Sequence, residues 1–311
     1  MICHEMDLLP KRVFLLNISA DAGETGCLCC IFGRQRIWKL CVKVFMSGED
    51  MAIDIPAGSA RYYDLLPVPF NDVPFYVAQA SSPETSVLEL GCGTGRVLVP
   101  LADCCGYIHG LDISEAMLSL CRGKLKEARI DADKACVEAA DITDFALDRR
   151  FDLIIAPYRV FQNLDTDEQV HGFFNCVRAH LSPAGSCILN AFNPWPRDKI
   201  VASYSVGDEV SCCEVPCDGG RITWHERRRK MSTSPFVIYP EIIIRRYEDE
   251  VLVDEVVWRI PMRCYYPGEF ESVVVEHGFE IINRWGGYAN EPYGEGPELV
   301  IQFVDNKALA D

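Results

Sequence analysis

The stretch Val87-Leu88-Glu89-Leu90-Gly91-Cys92-Gly93-Thr94-Gly95-Arg96 decides how this 311-residue chain folds. Val87 to Leu90 suit a buried parallel strand, and Arg96 to Ala102 read as the helix that follows, with Pro100 tolerated near its start. Between them glycine stands at alternate positions, 91, 93 and 95. Such spacing lets the chain turn sharply and brings bare backbone N–H groups against a ligand that side chains would otherwise hold away. This is a nucleotide-binding turn.

Spacing also selects the ligand. A dinucleotide fingerprint, G-x-G-x-x-G, requires glycine at 96, where this chain carries Arg96. A G-x-G-x-G turn preceded by an acid, Glu89, suits a nucleoside with a charged amino-acid tail and no pyrophosphate. A second strand, Tyr107 to Asp112, ends in an acid 21 residues after Gly91, close to the offset of about 20 at which a carboxylate takes a ribose diol.

Further along, strand and helix alternate, as in a doubly wound parallel sheet. Ser114 caps a helix from Glu115 to Ala128, and Cys136 to Ala140 form a third strand ending in Asp141-Ile142. Asp141 reads either as an acceptor for an adenine amino group, with Ile142 packing on the ring, or as a turn residue. Phe151 to Ala156 form strand four, expected beside strand one where the strand order reverses; ligands in such sheets sit at that switch point. The segment Pro157-Tyr158-Arg159-Val160-Phe161-Gln162-Asn163-Leu164 therefore faces the chemistry. Thr166 and Gln169 form a capping-box pattern for the next helix, and Leu181 to Gly185 read as the turn into strand five, Ser186 to Phe192.

From Asn193 the pattern changes to three long strand-like runs, Arg221–Met231, Val237–Tyr247 and Val251–Met262, which read as an antiparallel meander above the switch point. A helix from Pro267 to His277, stopped by Gly278, and two strands, Phe279–Arg284 and Glu298–Val304, close the fold. Upstream, Ala60 to Leu66 precede a helix begun by Asp72 as cap and Pro74 in its first turn. The organisation expected is an N-terminal extension over 1–50, dispensable and poorly patterned; a cofactor-binding core with an N-terminal lid over 51–194; a cap insertion over 195–265; and a closing helix and strands over 266–311.

A net charge of −16 opposes binding to a phosphate backbone, so no nucleic-acid partner is expected. The runs Arg227-Arg228-Arg229-Lys230 and Arg245-Arg246 lie in strand-like sequence, where alternate side chains point to opposite faces, and read as solvated strand faces. Sixteen cysteines include the clusters Cys27-Leu28-Cys29-Cys30 and Cys212-Cys213 with Cys217, but none has the spacing of a structural zinc site. They read as reduced thiols of a cytoplasmic protein, with no metal. No run approaches the 18 or so apolar residues of a membrane span, and Glu5 and Asp7 spoil a signal leader, so no membrane partner is expected. Nothing in the sequence fixes the oligomeric state.

With V-L-E-L-G-C-G-T-G-R and L-D-I-S-E-A-M-L, the chain from about Ala57 to Val304 resembles the class I S-adenosylmethionine-dependent methyltransferases. The segments Y-Y-D-L-L-P, D-V-P-F-Y, F-D-L-I-I-A-P-Y-R-V-F-Q-N-L, R-C-Y-Y-P-G-E-F and H-G-F narrow the resemblance to a bacterial branch acting on small molecules. It implies a Rossmann-like α/β fold: a doubly wound, mostly parallel seven-stranded sheet, with an antiparallel β-meander cap inserted after strand five. It implies S-adenosylmethionine as cofactor, held by Glu89, Gly91, Cys92, Gly93 and Gly95 of the turn. The methionine end lies near Gly91, Gly93 and Ala156, the ribose on Asp112, and the adenine near Ile113, Met117, Asp141 and Ile142. Tyr62 or Tyr63 covers the sulfonium end, unless that aromatic cluster is simply core.

The implied activity is in-line transfer of a methyl group to a small-molecule acceptor. The candidate catalytic residues are Tyr158, Arg159, Gln162 and Tyr266, with Tyr265 and Arg263 nearby. Arg159 is either an anchor for an anionic acceptor or half of a structural salt bridge, and Tyr266 is either site or core. Members of the branch often have His where this chain has Asn163, which cannot hold a proton at neutral pH. The A-P-Y sequence at 156–158 also lacks the N-P-P-Y pattern of base-amino methyltransferases. Two rival readings are a same-fold enzyme transferring another part of the cofactor and a non-catalytic cofactor-binding protein.

Overall fold

The computed structural model describes residues 53, 55–80, 82–194 and 207–306; the expected 1–50 extension lies outside them. Seven strands form the main sheet: β1 (Ser86–Leu90), β2 (Tyr107–Asp112), β3 (Ala135–Ala139), β4 (Phe151–Ala156), β5 (Leu181–Phe192), β11 (Phe279–Trp285) and β12 (Glu298–Asp305). Their order is β11-β12-β5-β4-β1-β2-β3. β1 pairs in parallel with both β2 and β4 (Val87 opposite Ile108 and Leu153), so strand order reverses at the β1/β4 boundary. β12 runs antiparallel to β5 and to β11, the exceptions in an otherwise parallel sheet.

Alternation along the strands builds a core on each face. Leu88, Leu90 and Ile154 pack on one side with α4 (Asp167–His180) and α5 (Pro267–Glu276). Val87, Leu153 and Ile155 pack on the other with α1 (Val73–Ala80), α2 (Leu98–Ala102) and α3 (Glu115–Glu127). The apolar residues of β1 and β4 are thus buried on both faces, which explains their near-continuous hydrophobic runs. Capping follows the sequence: Ser114 Oγ accepts from Met117 N, and Thr166 and Gln169 close their box. Leu181 to Gly185 is not a free turn; Leu181 already pairs with Phe151, and the expected turn is an irregular start of β5.

The cap is a five-stranded antiparallel sheet of β6 (Glu209–Cys217), β7 (Gly220–Thr233), β8 (Phe236–Glu248), β9 (Val251–Arg259) and β10 (Met262–Arg263). Two of these strands, β6 and the short β10, add to the three runs visible in the sequence. The arginine runs are matched by acids: Arg227 and Arg259 reach Glu241, Arg228 reaches Glu226, Arg245 reaches Glu209 and Glu255, and Arg246 reaches Glu248.

A 3-10 segment, Ala57–Leu65, bridges cap and core. On the cap side, Trp258 Nε1 donates to Ser59 Oγ at 2.6 Å, and Asp254 accepts from Tyr62 OH at 2.5 Å and from Arg61 at 2.6 Å. On the core side, Asp64 accepts from Thr94 Oγ1 at 2.7 Å and pairs with Lys124 of α3 at 2.7 Å. Among the described residues no helix is long and apolar enough to cross a membrane.

Candidate active site

The glycine turn is docked onto β2 by Gly91 N and Cys92 N, which donate to Leu111 O at 2.7 and 2.9 Å. All three glycines have positive φ: 73° at Gly91, 54° at Gly93 and 83° at Gly95. A Cβ at Gly91 would stand 2.6 Å from Val160 Cγ2, and one at Gly95 would stand 2.6 Å from Cys121 Sγ, so these two allow close packing. A Cβ at Gly93 would meet only Asp112 Oδ2, at 4.0 Å. Gly93 is the glycine that turns bare backbone toward open space.

Asp112 lies across this opening. Its Oδ2 accepts from Gly93 N and its Oδ1 from Ser114 N, both at 2.8 Å. Burial raises its pKa, and the backbone N–H donors pull in the opposite direction. Behind the turn, Glu89 is buried, and its Oε2 has no hydrogen-bond partner among the described residues. Burial pushes its carboxyl well above the ordinary range, and the neighbouring Arg96 only partly counters this.

The adenine-side candidates separate. Ile113 is 64% exposed beside Asp112, an apolar side chain left to solvent, whereas Met117 is buried in α3. Asp141 Oδ1 accepts from Thr143 N and Oγ1 at 2.8 and 2.7 Å in the manner of a turn residue, and Ile142 packs against the core.

The wall opposite the turn is the segment after β4. Tyr158 and Arg159 both have positive φ, 56° and 68°. The Tyr158 ring packs on Phe70 (centroids 5.6 Å apart) and Tyr63 (6.4 Å), with the Arg96 guanidinium 5.0 Å from its centroid. Arg96 in turn forks onto Asp72, which is fully buried. Asp72 was expected to cap α1; its carboxylate instead neutralises the arginine that replaces the third glycine of a dinucleotide turn.

Several expected catalytic residues are committed elsewhere. Gln162 is fully buried between backbones: Nε2 donates to Arg263 O at 2.8 Å and Oε1 accepts from Phe192 N at 2.8 Å. Asn163 Nδ2 donates to Pro261 O at 3.1 Å. Arg159 forms the structural salt bridge, to the fully buried Glu298. Tyr266 stacks on Phe236, whose cluster lies under the cap junction, and Tyr265 is buried on Phe161 in the core. Arg263 pairs with Asp167.

Tyr62 is also corrected. It turns into the cap cluster with Ile222, Ile244 and Trp258, because its hydroxyl is bound by Asp254, and Tyr63 rather than Tyr62 faces Tyr158. The residues missed by sequence reasoning are Phe70, Tyr288, whose ring lies 5.1 Å from that of Phe70, Asn190 and Glu298. No local pattern marks them, since all act through partners far along the chain. Among the described residues no cluster of three His, Cys, Asp or Glu is placed to hold a metal.

Residues 87–185 match the methyltransferase domain family. Over 232 residues the chain is 27% identical to a dTDP-3-amino-3,4,6-trideoxy-α-D-glucopyranose N,N-dimethyltransferase of Streptomyces venezuelae, covering 73% of this chain and 86% of that one. It is 28% identical to a dTDP-3-amino-3,6-dideoxy-α-D-glucopyranose N,N-dimethyltransferase of Streptomyces fradiae over 124 residues, 40% of this chain and 45% of that relative's length. An S-adenosylmethionine-dependent methyltransferase of Clostridium acetobutylicum superimposes with a TM-score of 0.65 at 15% identity, covering 80% of this chain and 97% of that one, a likeness of fold. The open backbone at Gly93, the unpartnered Glu89 oxygen and the carboxylate of Asp112 suit a nucleoside with an ammonium-bearing tail. The chain thus carries a methyltransferase domain over residues 87–185 and is similar, over most of its length, to S-adenosylmethionine-dependent methyltransferases that act on small molecules.

Proposed function

We propose that the enzyme methylates a small-molecule amine, with the amino group of a nucleoside-diphosphate sugar as the acceptor class to test first. The observation that carries this reading is the lack, among the described residues, of a proton acceptor at the mouth. Asn163 and Gln162 hold backbone groups, and burial raises the phenols of Tyr63 and Tyr158. A hydroxyl acceptor needs a base to take its proton, whereas an amine need only arrive neutral. The relatives named above act on amino sugars, which supports the same choice.

In this reading Asp112 takes the ribose hydroxyls, Glu89 faces the ammonium of the methionine tail, and the backbone at Gly91, Gly93 and Ala156 lines the rest of that tail. Ile113 covers the adenine ring, with Asp141 and Ile142 at its edge. Bound S-adenosylmethionine supplies a methyl group already activated by its sulfonium. With the cofactor held there, an acceptor nitrogen would displace its sulfur at the methyl carbon, the bonding pair leaving with sulfur and the ammonium proton going to solvent, and the faces of Tyr63, Phe70 and Tyr158 would offer the positive charge a cation–π surface. Alignment and exclusion of water supply on the order of 7–11 kcal/mol in well-oriented reactions.

The reaction would run in the cytoplasm and without nucleic acid, readings supported by the free thiols among the described residues and the acid-matched arginine runs. Methyl-labelled cofactor and a dTDP-linked 3-amino sugar, beside its 3-hydroxy analogue, provide the test. Mass gain on the amine alone is expected. Methylation of the hydroxyl analogue in its place would overturn the reading.

A further inference from the structure

The non-glycine residues with positive φ fall into two groups. Arg129, Asp249, Glu250 and Asn290 lie in exposed turns, where such a conformation meets little resistance. Tyr158 and Arg159 are different: unlike the adjacent pair Asp249 and Glu250, which is exposed, they are half-buried and at the end of β4, on the switch point. Away from an open turn, bulky side chains in the left-handed region persist only where the surroundings over-determine them.

What holds them is a closed set of contacts between three strand ends. Arg159 N donates to Asn190 Oδ1 of β5 at 2.9 Å. The Arg159 guanidinium forks onto Glu298, the first residue of β12, with Nε 3.2 Å from each carboxylate oxygen and Nη2 on Oε1. Asn190 Nδ2 closes the set by donating to Glu298 Oε2 at 2.9 Å. Asn190 and Glu298 are both fully buried. The guanidinium is further fixed between the Phe70 and Phe192 rings, at 5.3 and 5.5 Å from their centroids.

Both oxygens of Glu298 therefore already accept hydrogen bonds from Arg159 and Asn190. Arg159 is equally committed and does not anchor an acceptor anion. The effect of the set falls on its neighbours: Tyr158 on one side and Val160, seated on Gly91, on the other. We propose that Glu298 and Asn190 are positioning residues for methyl transfer, acting through Arg159 to hold Tyr158 in the left-handed conformation that sets its ring over Arg96 and beside Tyr63. The spacing between the donor turn and the acceptor wall is thereby fixed from β12, nearly the far end of the chain.

The test places 3-fluorotyrosine at position 158 and follows its 19F resonance in the otherwise unaltered full chain and in Glu298→Gln. Glutamine keeps the shape and the Asn190 contact but removes the charge of the fork. The resonance is expected to move or split, while affinity for S-adenosylhomocysteine, read by calorimetry, stays within about threefold. Turnover of the amino-sugar nucleotide is expected to fall about ten- to a hundredfold in kcat with KM nearly unchanged, as for a misplaced reacting group. A merely structural role would lower the melting temperature and leave the native-state resonance where it was; that result overturns the proposal, as does a shifted resonance with full turnover. If Glu298→Gln fails to fold, Arg159→Lys retains the charge without the fork, and an unmoved resonance there is equally fatal. The turnover arm rests on the amine reading; a wild type inactive on that acceptor refutes the acceptor class, while the resonance alone then decides the positioning role.

Discussion

Replacing Glu89 by glutamine changes the donor site at one atom. The carboxylate is buried and its pKa is raised well above the ordinary range, chiefly by burial, so in the free enzyme it holds its proton to higher pH than in the unfolded chain. A folded state that binds the extra proton loses stability as pH rises from the ordinary carboxyl range through the raised pKa. The wild type should show that decline and Glu89→Gln a shallower one, since burial also raises Asp112 and Glu298. An ammonium placed against Oε2 reverses the preference, because the ionised carboxylate then gains a charge-assisted bond of about 1.5–3 kcal/mol. Loss of that bond predicts a cofactor Kd raised roughly 10- to 150-fold in Glu89→Gln. It also predicts that wild-type binding releases a proton at pH values between the ordinary carboxyl range and the raised pKa. Calorimetry with S-adenosylmethionine in buffers of different ionisation enthalpy measures both. Affinity within about threefold of wild type, or no dependence of the observed heat on the buffer, would refute the assignment of the methionine tail to Glu89.

Four further outcomes are expected. Asp112→Asn should weaken S-adenosylhomocysteine binding by about ten- to a hundredfold, since an amide donor would face the Gly93 or Ser114 N–H; calorimetry checks this. Asp72→Ala leaves Arg96 without its buried partner, and because the Arg96 side chain keeps 21% exposure the cost should be about 2–3 kcal/mol, read as a melting temperature lowered by about 4–12 °C. Gly95→Ala should destabilise by about 1–3 kcal/mol through its φ of 83° and its clash with Cys121, with partial recovery on adding Cys121→Ala in a denaturant titration. Cys217→Ser, on a half-exposed cap strand, should change stability by no more than about 0.5 kcal/mol and release no zinc on metal analysis.

What the sequence made legible is what local chemistry determines. The β1 run, the alternate glycines, Asp112 at the next strand end and the capping residues Ser114 and Thr166 each have their meaning within a few residues, and the structure bears out the seven-stranded sheet they imply. Pairings between distant positions were not legible. Asp72 looks like a helix cap until Arg96 folds against it, and Gln162 looks like a mouth residue until two backbones take both ends of its amide. Tyr62 and Tyr63 are adjacent and chemically alike; only the position of Asp254, nearly two hundred residues on, decides which one turns to the cap. β6 escaped notice because it is an edge strand with both faces largely open, so burial imposes no alternation on Glu209–Cys217.

The 3-10 segment at 57–65 carries a thermodynamic consequence. It is fastened to the cap through Ser59 and Tyr62 and to the donor turn through Asp64, so neither can shift without straining the other's fastening. Coupling of that kind is reciprocal in free energy. A ligand that favoured one position of the cap over another would change affinity at the donor turn by the same factor by which a donor would change its own.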